Sequence, residues 1–219
     1  MHALFDLLHQ LLGDPKKLVE WGGYVGLTFI IFAETGLLVG FFLPGDSLLV
    51  TAGLLASQPQ SFSLNVYVLG ALLSAASILG NTVGYYIGVI TGPRLFTREN
   101  SLLFNRKHLE RAHAFYERHG GKTIILARFM PIVRTFVPVV AGMGQMQYRR
   151  YTLYNIVGGL AWIWSMLFVG YFLGRYIPGI GDHIELVILA VIFLSFLPGI
   201  IAWLRSRGRS TGRRAVSDV

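Results

Sequence analysis

Two arginines stand in an apolar stretch that otherwise has the composition of a membrane segment. Arg128 and Arg134 belong to the run ARFMPIVRTFVPVVAG at residues 127–142, which also contains Pro131 and Pro138. A central arginine costs about 2.5–3.5 kcal/mol on membrane insertion, so two cost on the order of 6 kcal/mol unless a negative partner compensates. Guanidinium suits phosphate because it presents a planar fork of donors and keeps its charge. The run therefore predicts an anion site, and we expect the anion to be a lipid phosphate.

Two carboxylates occupy a second apolar stretch nearer the N-terminus. Glu34 interrupts the apolar residues 21–57, and Asp46 follows Pro44-Gly45 in the same stretch. Burial favours the neutral form of a carboxyl, whereas neighbouring arginines favour the charged form, so such a group can load and release protons near neutral pH. We therefore predict that Glu34 and Asp46 couple the protein to protons or another ion.

The same residues also fit purely structural roles. Arg128 would pair with Glu34 or Asp46 to lower the cost of burying both charges, which is compatible with an anion site. Asp46 would cap a helix that begins after Pro44-Gly45. These alternatives stay open at the level of the sequence.

The composition is typical of an integral membrane protein. Of 219 residues, 53% are hydrophobic and only 14% are charged, which leaves no room for a second large domain. The formal net charge of +8 is expected to lie mostly on the cytoplasmic side, where basic residues meet anionic headgroups. The chain has no cysteine, which excludes disulfides and thiol chemistry. Residues 1–20 lack a basic n-region and a small-residue cleavage site, so we expect no cleaved signal peptide.

The apolar runs predict an all-α integral membrane fold with a single membrane domain over residues 1–204. The run 21–57 is too long for one straight span of about 20 residues, so we expect a re-entrant hairpin there, with two tight spans as the alternative. The other expected elements are an interfacial helix in 1–12, a transmembrane helix at 64–91, a cytoplasmic amphipathic helix at 94–122, a second re-entrant hairpin at 123–147, transmembrane helices at 151–177 and 183–204, and a disordered basic tail at 205–219.

Prolines and small residues are expected to shape these segments. Four residues are predicted to break the helices of the two hairpins: Pro44, Gly45, Pro131 and Pro138. Asn81 shares a helical face with Gly84 and Gly88, a spacing that permits close packing of another helix. Gly92-Pro93 is expected to end the first transmembrane helix.

The basic residues predict the orientation. Lysine and arginine concentrate in 94–122 and 205–219, so both segments and the C-terminus are expected in the cytoplasm. Counting crossings then opens the second hairpin from the cytoplasm and the first from outside. Both hairpins share ordered markers, since Ala-Glu or Ala-Arg precedes a proline by ten residues, Ala-Gly follows it, and a GYYIG or GYFLG pentad ends the next helix. The sequence therefore predicts an inverted repeat in which Glu34 faces Arg128 near the midplane, as in secondary transporters.

On these residues the chain resembles the DedA family of bacterial membrane proteins. The resemblance covers roughly residues 20–178 and rests on Glu34, Gly36, Pro44-Gly45-Asp46, Gly80-Asn81, Gly84-Tyr85, the run 128–134, Pro138 and Ala141-Gly142. It implies two facing re-entrant hairpins and a role in recycling polyprenyl phosphate carriers across the cytoplasmic membrane, with relatives among eukaryotic lipid scramblases. The resemblance also implies coupling to a proton or sodium gradient. The essential residues of the family fall on Glu34, Asp46, Arg128 and Arg134.

The leading functional prediction is a transporter that flips polyprenyl (undecaprenyl) phosphate across the bacterial cytoplasmic membrane, coupled to H+ or Na+. The alternative is a passive phospholipid scramblase or a proton-dependent membrane homeostasis protein, and phosphatidylethanolamine or another lipid stays open as the substrate. A lipid phosphatase is a third interpretation, but it needs a nucleophile or base beside the arginines, and none of the six histidines lies in either hairpin.

We therefore expect no enzymatic activity, catalytic residue, metal site or cofactor. The expected partners are a membrane lipid with a phosphate headgroup and protons or Na+, and no nucleic acid. The glycine-rich helix faces fit internal packing and a homodimer equally well.

Overall fold

A computed structural model of the chain describes residues 15–37, 45–58, 64–95, 121–177 and 180, and its elements are helical throughout. The predicted all-α class is confirmed for these residues. In chain order the helices are α1 (Pro15–Gly36), α2 (Gly45–Ala56), α3 (Val66–Leu95), α4 (Lys122–Ala127), α5 (Pro131–Met143) and α6 (Tyr148–Tyr176). Several predictions lie outside the described residues: the helix in 1–12, Pro44, most of the helix at 94–122, the helix at 183–204 and the tail at 205–219.

Among the residues that the structure describes, two helices are long and apolar enough to cross a membrane. They are Val66–Gly92 within α3 and Tyr148–Tyr176, and their 27 and 29 residues exceed the roughly 20 that a bilayer core requires. They pack antiparallel, because Gly70 near the start of α3 meets Trp164, whereas the Tyr151 hydroxyl near the start of α6 donates to the Asn81 carbonyl at 2.8 Å. The two apolar helices thus lie side by side in opposite directions.

The first apolar stretch forms α1 and α2, on either side of residues 38–44. The α1 helix begins at Pro15, which suits the fixed φ of proline in a first helical turn. It kinks at Gly23, where φ is 49° and ψ is −146°, a conformation that side chains rarely permit. The kink was not predicted from the sequence.

The second apolar stretch is interrupted between α4 and α5, and only one of its prolines marks the interruption. The backbone turns over Arg128 to Met130, and α5 restarts with Pro131 as its first residue. The prediction that Pro138 breaks the hairpin is wrong, because α5 runs through it to Met143. An internal proline removes one helical hydrogen bond, but Pro138 packs against α3, where a Cβ on Gly84 would lie 3.2 Å from the proline Cβ.

A second proline is also accommodated within a helix. The α3 helix continues past Gly92-Pro93 to Leu95, so the expected end at Gly92-Pro93 is wrong by a few residues. Helix ends fray over one or two residues in most proteins, which fits a boundary just beyond the proline.

The two apolar stretches pack crosswise on the two spans. The second helix of the first stretch, α2, contacts α6, and the second helix of the second stretch, α5, contacts α3. The α2 helix lies on α6, where a Cβ on Gly53 would overlap the Leu167 carbonyl, and α5 lies on α3, where a Cβ on Gly142 would overlap the Tyr85 carbonyl. Only glycine permits this backbone-to-backbone approach. The exchange brings the starts of α2 and α5 into the centre of the molecule.

The distribution of polarity suits a lipid environment. Large apolar side chains stand exposed on the outside, among them Val25 (82%) and Phe29 (70%) on α1. Charged and amide side chains are instead buried among the helices: Glu34, Asp46, Asn81, Arg128, Arg134 and Asn155. An apolar exterior around buried polar groups is expected when the surrounding medium is hydrocarbon.

Candidate functional site: a buried charge cluster

Arg134, in the first turns of α5, joins the two predicted acids. Its Nη1 donates to Asp46 Oδ1 at 2.6 Å, and its Nη2 donates to Glu34 Oε1. The exposed fractions of the side chains are 6% for Arg134, 0% for Glu34 and 10% for Asp46. One cation shared by two carboxylates offsets part of their desolvation cost, while Glu34 Oε2 and Arg134 Nε have no hydrogen-bond partner.

Trp162 of α6 completes this group. Its ring lies under Arg134, with the guanidinium carbon 4.5 Å from the ring centroid. Its indole Nε1 donates to Asp46 Oδ1 at 2.8 Å, so one carboxylate oxygen accepts from both Trp162 and Arg134. Trp162 is fully buried and lies at the middle of the Tyr148–Tyr176 span. The charged group, which is formed at the ends of α1, α2 and α5, therefore lies beside the middle of this apolar span.

The start of α2 positions the acids. Asp46 is the second residue of α2 and so lies inside the helix, which contradicts the alternative that it caps the helix. Its carboxylate accepts hydrogen bonds from Arg134 and Trp162. The preceding Gly45 is buried, and a Cβ there would overlap the Glu34 carboxylate. Glu34 thus occupies the space of the side chain that Gly45 lacks, while the break of a hairpin at Gly45, the first residue of α2, stays a prediction.

Arg128, at the end of α4, has different partners. Its Nη1 donates to the Ser77 hydroxyl at 2.5 Å, and its Nη2 donates to Asn155 Oδ1 and to the Asn155 carbonyl at 3.2 Å. Only 2% of Arg128 is exposed, and its Nε has no hydrogen-bond partner. Among the residues that the structure describes, no carboxylate contacts it. The predicted pairing of Glu34 with Arg128 is therefore wrong, because Arg134 takes that place.

Asn81 adds a third neutral group to the surroundings of Arg128. Its amide fits its neighbours when the nitrogen donates to the Thr35 carbonyl at 2.9 Å and the oxygen accepts from Arg128 Nη2 at 2.5 Å. The predicted packing residue is thus also part of the polar cluster, whereas Gly84 contacts Pro138 of α5.

Neutral partners offset only part of the cost of burying Arg128. A hydrogen bond to a charged group contributes about 1.5–3 kcal/mol, and burying an ion costs several kcal/mol even after relaxation. The neutral acceptors bond to Nη1 and Nη2 but leave Nε unpaired and the positive charge itself unbalanced. Ser77 lies near the middle of the Val66–Gly92 span, so this unbalanced charge is also at mid-span.

Sequence reasoning missed three members of the cluster: Ser77, Asn155 and Trp162. Ser77 lies one helical turn before Asn81, and polar side chains that share a face of an apolar span are a usable signal. Asn155 is a single amide in an apolar span, a weaker form of the same signal. Trp162 gave none, because tryptophan in membrane segments is usually an interface anchor.

The described part of the chain contains no group of three or more side chains suited to a metal ion. What it contains is one cation held by two carboxylates and one cation held by neutral groups. Chemically, the second arrangement can accept an anion, because no described carboxylate balances its positive charge.

Comparison with known proteins gives three relatives of interest. A VTT domain model matches residues 43–172, a range that includes Asp46, Arg128 and Arg134. Protein DedA of Escherichia coli (strain K12) is 50% identical over 218 residues, which is 98% of both chains. An uncharacterized membrane protein of Mycobacterium leprae is 45% identical over 191 residues, covering 87% of this chain and 83% of the relative. Inner membrane protein YqjA of Escherichia coli (strain K12) is 35% identical over 186 residues, 80% of each chain. No solved structure matches the chain.

Proposed function

This chain belongs to the DedA family of VTT-domain membrane proteins, and from that premise we propose that it flips polyprenyl (undecaprenyl) phosphate to the cytoplasmic leaflet of the bacterial cytoplasmic membrane. The observation that carries the proposal is Arg128, a buried mid-span cation whose described partners are all neutral. A phosphate headgroup supplies the missing negative charge, while the long apolar tail stays in lipid.

The two arginines take different parts in this proposal. Arg128 is the first contact of the phosphate, since only neutral acceptors have to give way. Arg134 becomes a second contact when Glu34 or Asp46 releases it, and a carboxylate releases a guanidinium when it takes up a proton. Glu34 and Asp46 would thereby couple headgroup binding to protons, or to Na+ if that ion replaces the proton.

The proposed architecture is an inverted repeat of two facing re-entrant hairpins. Two observations support it: the antiparallel packing of α3 and α6, and the exchange by which α2 packs on α6 while α5 packs on α3. Repeats of this kind allow one half to rock against the other around a fixed midplane site. The excess of basic residues in 94–122 and 205–219 supports a multi-pass arrangement with the C-terminus in the cytoplasm.

Proteoliposomes test the site assignment. Polyprenyl phosphate in the outer leaflet is hydrolysed by an added, membrane-impermeant phosphatase, so the protected fraction measures flipping to the inner leaflet. Arg128→Ala is expected to lower the flipping rate to that of protein-free liposomes, while the matched control Arg149→Ala, at an exposed arginine, flips normally. Normal flipping by Arg128→Ala would remove the assignment.

The same liposomes test coupling and chemistry. An imposed pH or Na+ gradient is expected to change the wild-type rate and to have no effect on Glu34→Gln. A rate that ignores both gradients would identify a passive scramblase instead. Inorganic phosphate released before the phosphatase is added would identify a membrane enzyme.

A further inference from the structure

The groups around Arg128 are acceptors without negative charge. They come from two helices, with Ser77 and Asn81 on α3 and Asn155 on α6. Arg134 contrasts with this, because both of its guanidinium nitrogens that bond reach carboxylates. The described part of the chain therefore buries two guanidinium groups, one with charged partners and one with neutral partners.

The neutral partners of Arg128 affect how easily a phosphate can replace them. A neutral oxygen satisfies a donor of Arg128 but leaves its positive charge uncompensated, and in a low-dielectric interior an anion adds a strong coulombic attraction. A phosphate oxygen that replaces a neutral oxygen on Arg128 therefore supplies the attraction that the neutral group lacks. Against a carboxylate, the same phosphate would compete on equal terms and leave a buried carboxylate behind.

Asn155 controls the charge at this position most directly. It is fully buried, and both its side-chain and its main-chain oxygen accept from Arg128. Its Nδ2 donates to the Ile78 carbonyl at 3.1 Å and lies 3.5 Å from the Thr82 hydroxyl. These contacts with α3 turn the amide oxygen toward Arg128. Aspartate has the same shape as asparagine, so the substitution adds a negative charge without changing the volume, and it replaces the Nδ2 donor to the Ile78 carbonyl by an acceptor.

We propose that Asn155 is a positioning residue whose neutrality keeps Arg128 available to the phosphate of the lipid, with the Ser77 hydroxyl serving the same purpose from α3. The inference rests on the proposed function, since it assumes that a lipid phosphate binds Arg128. It adds a requirement that shape alone would not impose: the partner of Arg128 must orient it without neutralising it.

Three substitutions at Asn155 separate charge from shape in the proteoliposome assay. Asn155→Asp is expected to lower the flipping rate at least about tenfold, because a buried carboxylate beside Arg128 neutralises the positive charge that attracts the phosphate. Asn155→Ser keeps a neutral acceptor and is expected to stay within about threefold of the wild type, with Asn155→Leu between the two. A purely structural role predicts that the flipping rates of the three variants follow their unfolding temperatures and not their charge.

The matched control is Asn65→Asp. Asn65 is exposed, and its Oδ1 accepts from the Tyr67 and Val68 amides at the start of α3, which an aspartate does equally well. This variant adds the same charge away from Arg128 and is expected to flip normally.

The second aspartate oxygen of Asn155→Asp would face the Ile78 carbonyl, so folding is measured alongside flipping. If this variant does not accumulate, Asn81→Asp decides the question by the same criterion, because it places a carboxylate on Arg128 from α3. Flipping at or near the wild-type rate by the folded aspartate variant overturns the inference. A wild type that does not flip, or an Arg128→Ala variant that does, overturns the proposed function instead.

Discussion

Arg128 and Arg134 lie six residues apart in the chain, and both are buried near mid-span, yet their surroundings differ in kind. Arg134 is shared by Glu34 and Asp46 and covered by Trp162. Arg128 is held by hydroxyl, amide and carbonyl groups. The comparison indicates that burial of an arginine does not by itself reveal its role, because the charge of its partners decides whether it is satisfied or receptive.

The two arginine groups also connect different sets of helices. The Arg134 group ties the ends of α1 and α2 to α5 and α6, so it links both apolar stretches. The Arg128 group ties the end of α4 to α3 and α6. We infer that the first group holds the helices together and that the second is the place where an anion enters.

The largest expected effect is on stability. Arg134→Met leaves two buried carboxylates without a cation and is expected to lower the free energy of unfolding by about 3–5 kcal/mol. Arg128→Met removes an unbalanced charge and leaves only neutral acceptors unpaired, a cost of about 1–3 kcal/mol. Thermal unfolding in detergent measures both. Equal losses, or a larger loss for Arg128→Met, would break the distinction between the arginines.

A double-mutant cycle tests the pairing directly, and its expected effect is of intermediate size. Substituting Glu34 and Arg134 by glutamine, singly and together, is expected to give a coupling energy of about 1–3 kcal/mol, as for charged groups in contact. The cycle of Glu34 with Arg128 is expected to give a value near zero, since the two do not pair. A strong coupling in the second cycle would restore the pairing that the sequence predicted.

The buried charges and the helix breaks show how much of the fold and of the site the sequence predicts. The four buried charges, the break before Pro131 and the two apolar spans were readable, because charges in hydrocarbon and prolines in helices are costly wherever they occur. The sequence did not indicate which arginine pairs with the acids, because the helical break between Arg128 and Arg134 leaves the relative direction of their side chains undetermined. Pro138 and Gly23 were misjudged or missed for a related reason, because packing between helices decides what a local preference alone does not.

Trp162 provides the smallest of the expected effects. Trp162→Phe keeps an aromatic face for Arg134 but removes the hydrogen bond to Asp46, and its expected cost is about 0.5–1.5 kcal/mol, because Asp46 Oδ1 still accepts from Arg134. Trp162→Leu loses both contacts and is expected to cost more. The order of the two unfolding temperatures checks this, and equal values would mean that the aromatic face does not stabilise the charged group.

The central claim is that Arg128 is open to a phosphate anion. The most direct measurement is the thermal stability of the purified protein with polyprenyl phosphate and, as the matched ligand, with the uncharged polyprenol. We expect the phosphate lipid, but not the alcohol, to raise the unfolding temperature of the wild type, because binding to the folded state stabilises it, and we expect Arg128→Gln to lose this increase. An undiminished increase in Arg128→Gln would contradict the account.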